Sequence, residues 1–439
     1  MKPFKQFILS GYQWDESQLT ASFSYSFDDE QFFTEKIDFT PLQEKNYFKV
    51  INTDRENIEN IENILAHLHI ALGVSYYKLY PTKEIVVNTL QLTENQKKFW
   101  NTFYLKWLWE FFYRNQLDPR GLAQFKSAEN AKNQNNNINF EADKLLVLFW
   151  WGKDSLVSVE LLKKQGKKFD LFSFWKDFPL HAVAQEPTGA KRLIIKRMLD
   201  LENINKLLEK WYYNGHLPIT WIISFVSLMV WYLYGYRGVI TSLEKSADEG
   251  NTLYYGMEIN HQWSKSKEFE DLFINYVETN ITKDFFSKSY LRDWYEIKVV
   301  KEFSQYPQYF NHFSSCNRNF HITGSKLSWE DLWCWVCPKC WFVYTMLRAF
   351  IGKDKVNKIF NKDLFEDKSL IQLFKELLWI DGIKPFECVW TNEEMVIAFR
   401  LITQKEPDNM SEIITIFKNE IMSKLTTEDF EKLRKKLGI

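Results

Sequence analysis

Leu145–Leu162 reads LLVLFWWGKDSLVSVELL, and its first five residues form the short continuous apolar run that a strand buried on both faces requires. The run leads into Gly152-Lys153-Asp154-Ser155, and SLVSVELLKKQG behind it has helical spacing with a glycine stop at Gly166. Strand, turn and helix in that order make an anion site, because the N–H groups of the turn and of the helix N-terminus face one point. Lys153 adds a charge there, and Ser155 a hydroxyl and a helix cap. The glycine and lysine spacing is not that of a Walker loop. Trp150 and Trp151 stand where such a loop needs its smallest residues.

Further out, FDLFSF (169–174) and YRGVITS (236–242) are strand patterns, and strands alternating with helices predict a doubly wound, mostly parallel α/β sheet over residues 144–342. Residues 1–126 read as an N-terminal α+β unit. Its LTASFSYSF and QFFTEKIDF, parted by Asp28-Asp29-Glu30, predict a hairpin. ENIENILAHLHIAL and ENQKKFWNTFYLKWLWEFFYR carry apolar residues at helical spacing, and the aromatic stripe of the second belongs to a core. The asparagine-rich stretch 127–143 reads as a linker, and residues 343–439 as a helical C-terminal region. There is no internal repeat.

Across 439 residues, 56 Lys and Arg face 57 Asp and Glu, so no basic field recruits nucleic acid. The apolar run near Met1 is too short for a signal peptide. LPITWIISFVSLMVWYLYGY, Leu217–Tyr236, has the length to cross a bilayer. Its Pro218, Thr220, Ser224 and Ser227, and the polar Tyr213-Asn214-Gly215-His216 before it, predict a buried helix instead. The expectation is a cytoplasmic protein with no membrane partner; composition leaves its oligomeric state open.

Three of the five cysteines lie in Cys334-Trp335-Val336-Cys337-Pro338-Lys339-Cys340, and Cys316 precedes Cys334 by 18 residues. Four thiols so spaced can close a tetrahedral Zn²⁺ site, and a reducing compartment favours metal over disulfides. Reduced, packed cysteines are the plainer alternative. Cys388, in KPFECVW, is left over as a buried residue or a nucleophile. Dense polar strings complete the inventory: Tyr213–His216, Glu244-Lys245-Ser246-Ala247, Asn260-His261-Gln262-Trp263-Ser264-Lys265-Ser266 and Asn317-Arg318-Asn319-Phe320-His321. Those that follow strands are the better ligand sites, since open α/β sheets bind beyond the strand carboxyl ends.

The Gly-Lys-Asp-Ser turn resembles the pyrophosphate loop (PP-loop) of ATP pyrophosphatases, and the cysteine cluster resembles the zinc site of 7-cyano-7-deazaguanine synthases. Taken in order, GKDSLVSVELL, YYNGHLPIT, EKSA, NHQWSKS, SSCNRNFH, CPKC and DGIKPFECV resemble the UDP-N-acetylmuramoyl-L-alanyl-L-glutamate epimerase (MurL) family from about residue 144 to 390. That resemblance implies a cytoplasmic step of peptidoglycan precursor synthesis, in which the terminal L-glutamate of the UDP-N-acetylmuramoyl-dipeptide becomes D-glutamate. It implies ATP and Mg²⁺, with AMP and pyrophosphate released from an acyl-adenylate route.

On this resemblance Trp150, Trp151, Gly152, Lys153, Asp154 and Ser155 would cradle the nucleotide, with Asp154 toward Mg²⁺ and Lys153 and Lys245 toward pyrophosphate. His216 and His261, with Cys316 and Cys388 as rivals, would move the proton. Asn214, Gly215, Glu244, Ser246, Asn260, Gln262, Asn317, Arg318 and Asn319 would bind substrate. Two other readings compete: another adenylating enzyme of the deazaguanine- or thiouridine-forming type, and an inactive zinc-stabilised binding module.

One departure from the family is systematic. Its pattern has glycine at the positions of Trp150, Trp151, Trp335 and Trp390, and Trp175, Trp211 and Trp379 look like glycine sites too, whereas Trp263 and Trp333 stand where the family is aromatic. The chain has 15 glycines and 18 tryptophans, whereas average usage would give roughly 31 glycines. One residue type exchanged selectively for one other suggests a gene that reads UGA as glycine and was translated here as tryptophan.

Overall fold

The apolar run at Leu145 is an inner strand of a ten-stranded sheet. The computed structural model describes residues 2–41, 55–128, 138, 143–150, 152–175, 182, 184–215, 219–320, 332–382, 385–387 and 391–439. The chain opens with β1 (Gln6–Asp15), β2 (Thr20–Phe27) and β3 (Gln31–Asp38), and the expected hairpin is β2–β3. Then come α1 (Arg55–Tyr77), β4 (Glu84–Val87), α2 (Glu94–Trp107), α3 (Trp109–Arg114) and β5 (Gln124–Lys126). Thr93 and Gln96 close a reciprocal capping box at the start of α2.

The second stretch runs β6 (Leu145–Leu148), α4 (Lys153–Lys164), β7 (Phe169–Trp175), β8 (Arg192–Met198), α5 (Leu201–Leu208), α6 (Ile219–Tyr234) and β9 (Gly238–Thr241). It continues through the small pair β10 (Thr252–Tyr254) and β11 (Met257–Ile259), α7 (Lys267–Asn280), β12 (Ser287–Ser289) and α8 (Glu296–Phe303). The C-terminal part is helical, as expected: α9 (Pro338–Ile351), α10 (Lys353–Phe360), α11 (Ile371–Leu377), α12 (Asn392–Lys405), α13 (Glu412–Glu420) and α14 (Thr427–Leu437).

The sheet order is β12-β9-β6-β7-β8-β3-β2-β1-β4-β5. Strands β12 to β8 are parallel, β8, β3, β2 and β1 pair antiparallel, and β1, β4 and β5 are parallel again. The parallel part is wound on both faces. Leu146, Leu148, Phe172 and Phe174 join one apolar cluster with α1 and α6, whereas Leu145, Val147, Phe149 and Leu171 join another with α4, α8 and α9. Alternate residues of a strand point to opposite faces, so LLVLF had to be apolar throughout.

The chain passes from β6 through β7 to β8, then crosses back to lay β9 and β12 on the other side of β6. In open α/β sheets ligands bind in the crevice at such a reversal, which here lies beyond the carboxyl ends of β6 and β9. Helix α6 is the buried helix expected there: Trp221 to Tyr234 are buried, and Leu217 and Pro218 lie outside the described residues. No described helix is long and apolar enough to cross a membrane.

Strand β8, RLIIKRM, has no clean strand pattern, because charged residues interrupt it. Its Arg197 is fully buried against Glu35 of β3, with Nε 2.6 Å from Oε1, and Nη2 donates to Ser75 at 2.7 Å. Burial pushes the Glu35 carboxyl up, against the pull of Arg197. This pair sits at the antiparallel β3–β8 seam that joins the N-terminal strands to the parallel ones.

Among the described residues, four tryptophans occupy left-handed backbone: Trp175 (φ 100°), Trp211 (φ 66°), Trp335 (φ 61°) and Trp379 (φ 54°). A bulky residue there is an outlier. All four belong to the set read from sequence as glycine sites. Trp150 is partly buried against both apolar clusters without such a φ, and Trp151 and Trp390 lie outside the described residues.

Replacing Arg197 by Met should leave Glu35 as an unpaired buried carboxyl and lower unfolding free energy by about 3–5 kcal/mol in urea titration. Replacing both partners by apolar residues should recover most of it; a loss below about 1 kcal/mol for the single change would show that the seam does not depend on the pair.

Candidate active site

The crevice is lined by the turns that follow β6, β9 and β12. After β6 the chain turns at Gly152, whose extended conformation caps α4, and Ser155 Oγ donates back to the Gly152 carbonyl at 2.9 Å. The expected cap by Ser155 is therefore a bond within the first turn, and no side chain among the described residues caps the start of α4. Lys153 is turned inward. Its side chain is fully buried, with Nζ 2.8 Å from Asp154 Oδ1 and paired more closely with Glu296. Burial opposes its charge, but the Asp154 and Glu296 carboxylates outweigh that and hold its affinity for the proton above the ordinary lysine value.

Glu296 opens α8 and is fully buried. Burial raises its carboxyl well above the usual range, as do the charges of Asp154 and Glu244, while Lys153 pulls the other way. Its Oε2 meets no hydrogen-bond donor among the described residues. Asp154, Glu244 and Glu296 bring one oxygen each to within 4.8 Å of one another. Glu244 follows β9, so one acidic group comes from each side of the strand-order reversal.

Several residues of the polar strings brace this wall. Ser246 Oγ donates to Glu394 Oε1 at 3.1 Å and accepts from the Glu296 N–H at 3.0 Å. Glu394 also accepts from Ile297 N–H at 2.9 Å, and burial raises its carboxyl. Arg292 Nη1 donates to the Glu244 and Lys265 carbonyls. Asn260 Nδ2 donates to the Ala247 carbonyl, its Oδ1 accepts from Gln262 N–H, and Asn251 Oδ1 accepts from His261 N–H. Lys245 is exposed with Nζ 4.9 Å over the Tyr295 ring.

His261 is buried, and its Nδ1 pairs with Glu110 of α3, which also holds Arg114. Asn214 Oδ1 accepts from its neighbour Gly215 N–H, and the Gly215 carbonyl accepts from Lys78 Nζ at 2.9 Å. A side chain at Gly215 would meet the Phe111 ring at 2.7 Å, so only glycine fits. Burial lowers Lys78 to about 8. His216, Trp151 and Cys388 lie outside the described residues.

The four cysteines do come together, as free thiols. Cys334 and Cys340 sulfurs are 3.8 Å apart, and Cys337 and Cys340 sulfurs 3.5 Å, close to the roughly 3.8 Å that thiolates span on a tetrahedral zinc. Backbone N–H groups of Cys337 and Cys340 point at the Cys334 and Cys337 sulfurs. Hydrogen bonding among the four sulfurs pulls the Cys316 and Cys334 thiols down and pushes Cys337 and Cys340 up. Cys316 is thus part of this cluster. Asn317, Arg318 and Asn319 follow on a short helical turn, with Arg318 exposed.

Glu110, Glu296 and Glu394 were not found by sequence reasoning. Each is an acidic residue in a helical pattern, which reads as a solvated face until a distant partner is known. The one signal available was Thr391 with Glu394, a capping-box spacing.

A family model described as the MurL N-terminal domain matches residues 1–289, and one described as the MurL C-terminal domain matches residues 312–432. The chain is similar to curated proteins named UDP-N-acetyl-alpha-D-muramoyl-L-alanyl-L-glutamate epimerase. That of Xanthomonas oryzae pv. oryzae is 32% identical over 375 residues, covering 85% of this chain and 82% of the relative. That of Salinispora tropica is 32% identical over 410 residues (91% and 85%), and that of a Micromonospora species 32% over 416 (91% and 87%).

Glu394→Ala should strip the acceptor from Ile297 N–H and Ser246 and lower stability by roughly 1–3 kcal/mol per group left unpaired. Amide exchange should speed up at Ile297 and Glu296; unchanged protection there would show that Glu394 does not hold the wall.

Proposed function

The chain belongs to the MurL family, and we propose that it inverts the terminal glutamate of UDP-N-acetylmuramoyl-L-alanyl-L-glutamate to D-glutamate in the cytoplasm, at the expense of ATP. The observation that carries this reading is the match along both halves to proteins named for that epimerisation.

The chemistry sets the route. A carboxylate makes its α-proton very weakly acidic, so the glutamate carboxylate oxygen first attacks the α-phosphorus of ATP and pyrophosphate leaves. The resulting mixed anhydride is uncharged at the carbonyl and allows an enolate. A base takes the Cα proton from one face, an acid returns one to the other, and water then splits the anhydride into AMP and the D-carboxylate. The Gly152–Ser155 turn, a PP-loop in this reading, binds the phosphates by its N–H groups. Lys245, exposed beside the crevice, faces the leaving pyrophosphate. His261, oriented by Glu110, is the group we assign to one proton transfer, and His216 stands for the other. Asn214, Gly215 and Arg318 face substrate, and the last offers a bidentate partner for a carboxylate or phosphate.

Two ions fit the residues present. Asp154, Glu244 and Glu296 offer hard oxygen donors at close range and an unpaired buried oxygen, the donor set of Mg²⁺. Bound there, it would offset charge on the triphosphate. Cys316, Cys334, Cys337 and Cys340 fit a four-thiolate zinc that ties the loop after α8 to the start of α9.

The assay is incubation with the L,L-substrate and ATP, followed by chiral analysis of the released glutamate. D-Glutamate with one AMP and one pyrophosphate per turnover is expected, and His261→Gln should lower kcat by about 10²–10⁴-fold. Turnover of a deazapurine or tRNA substrate in place of the dipeptide would replace this reading by the other adenylating class.

A further inference from the structure

We propose that Asp154, Glu244 and Glu296 form a divalent-cation site whose place the Lys153 ammonium holds until a cation enters. This deepens the epimerase reading and rests on it only for what the cation serves. A lysine at an anion-binding turn is expected to face the anion, yet this one is fully buried among carboxylates. One ammonium faces three acidic side chains, two of which, Glu244 and Glu296, are buried, and a divalent cation would supply the positive charge that a single ammonium does not. Glu296 Oε2 is fully buried and has no donor among the described residues, so the ammonium does not satisfy the set that surrounds it. Asp154 keeps 23% of its side chain exposed and gives a hydrated ion its way in. An entering cation repels the ammonium, and the flexible four-carbon stem of Lys153 lets the charge swing from the carboxylates to the mouth of the turn. Cation binding and delivery of the lysine charge to the anion are then one exchange.

Mn²⁺, followed by electron paramagnetic resonance on the nucleotide-free chain, tests this without the glutamyl substrate. The parent should bind one Mn²⁺ that Mg²⁺ displaces. Lys153→Met should bind it about tenfold or more tightly, because a neighbouring positive charge is gone, and Glu296→Gln about tenfold or more weakly. Thermal melts check folding, and if Glu296→Gln does not fold, Asp154→Asn at the exposed edge carries the same expectation. No binding to either the parent or Lys153→Met, or tight binding unaffected by the carboxylate changes, would overturn the site. Neither result touches the epimerase assignment, which the product assay decides alone.

Independently, backbone geometry bears on the tryptophans. At the end of α5, Trp211 N–H bonds Leu208 O and Tyr212 N–H bonds Leu207 O; beyond α11, Trp379 N–H bonds Glu376 O and Ile380 N–H bonds Lys375 O. This paired closure puts a left-handed residue at the helix exit, where glycine is the usual occupant. The same closure occurs at Gly166 (Lys163 and Leu162 carbonyls) and at Gly438 (Lys435 and Arg434 carbonyls). Trp211 and Trp379 also stand 84% and 51% exposed, so burial does not explain the indole. From this we infer that the source organism makes the protein with glycine at 175, 211, 335 and 379. The gene should carry UGA at these four codons and UGG at buried, ordinary positions such as Trp100 and Trp221. Trp211→Gly and Trp379→Gly should each raise the melting temperature, more than the alanine variants do, whereas Trp221→Gly lowers it. UGG throughout, or a fall in melting temperature for both exit glycines, would overturn the inference.

Discussion

Four ionisable groups gathered at the carboxyl end of β6, three of them buried, set the terms for the rest of this protein. Lys153 and Asp154 arrive from the turn after β6, Glu244 from the turn after β9, and Glu296 from the start of α8. They meet because the strand order reverses at β6, which parts neighbouring turns at that point alone among the parallel strands. An excess of buried carboxylate is costly, and a fold retains it where a ligand supplies the missing charge.

The surrounding structure reads as support for that arrangement. Glu394 reaches in from the C-terminal helices to fix Ser246 and the first turn of α8, and Arg292 ties the Glu244 carbonyl to that of Lys265. The N-terminal strands are bound to the parallel ones by Arg197 and Glu35, and α3 carries Glu110 to His261. Residues from both ends of the chain therefore hold the crevice, in line with matches to two family models rather than one.

Much of this was legible in the sequence, where the signal is local. LLVLF must be buried on both faces; the hairpin strands alternate; α6 is apolar but punctuated by hydroxyls; four cysteines within 25 residues converge as their spacing suggests. The rest was hidden because its meaning depends on distant partners. Strand β8 looks charged until Arg197 finds Glu35, and Glu110, Glu296 and Glu394 look like solvent-facing acids until His261, Lys153 and Ser246 reach them. Lys153 was legible as a turn residue but not as a buried one. The tryptophans gave the opposite case: a family pattern suggested glycine, and backbone angles at four of those sites point the same way.

The central claim is that glutamate is inverted by proton exchange at Cα only after its carboxylate has been activated. Running the reaction in D₂O and reading deuterium at Cα of the recovered glutamate tests it directly. The account predicts one deuterium at Cα of the D-product and none in glutamate incubated without ATP. Exchange that proceeds equally without ATP, or inversion that retains the original hydrogen, would contradict it.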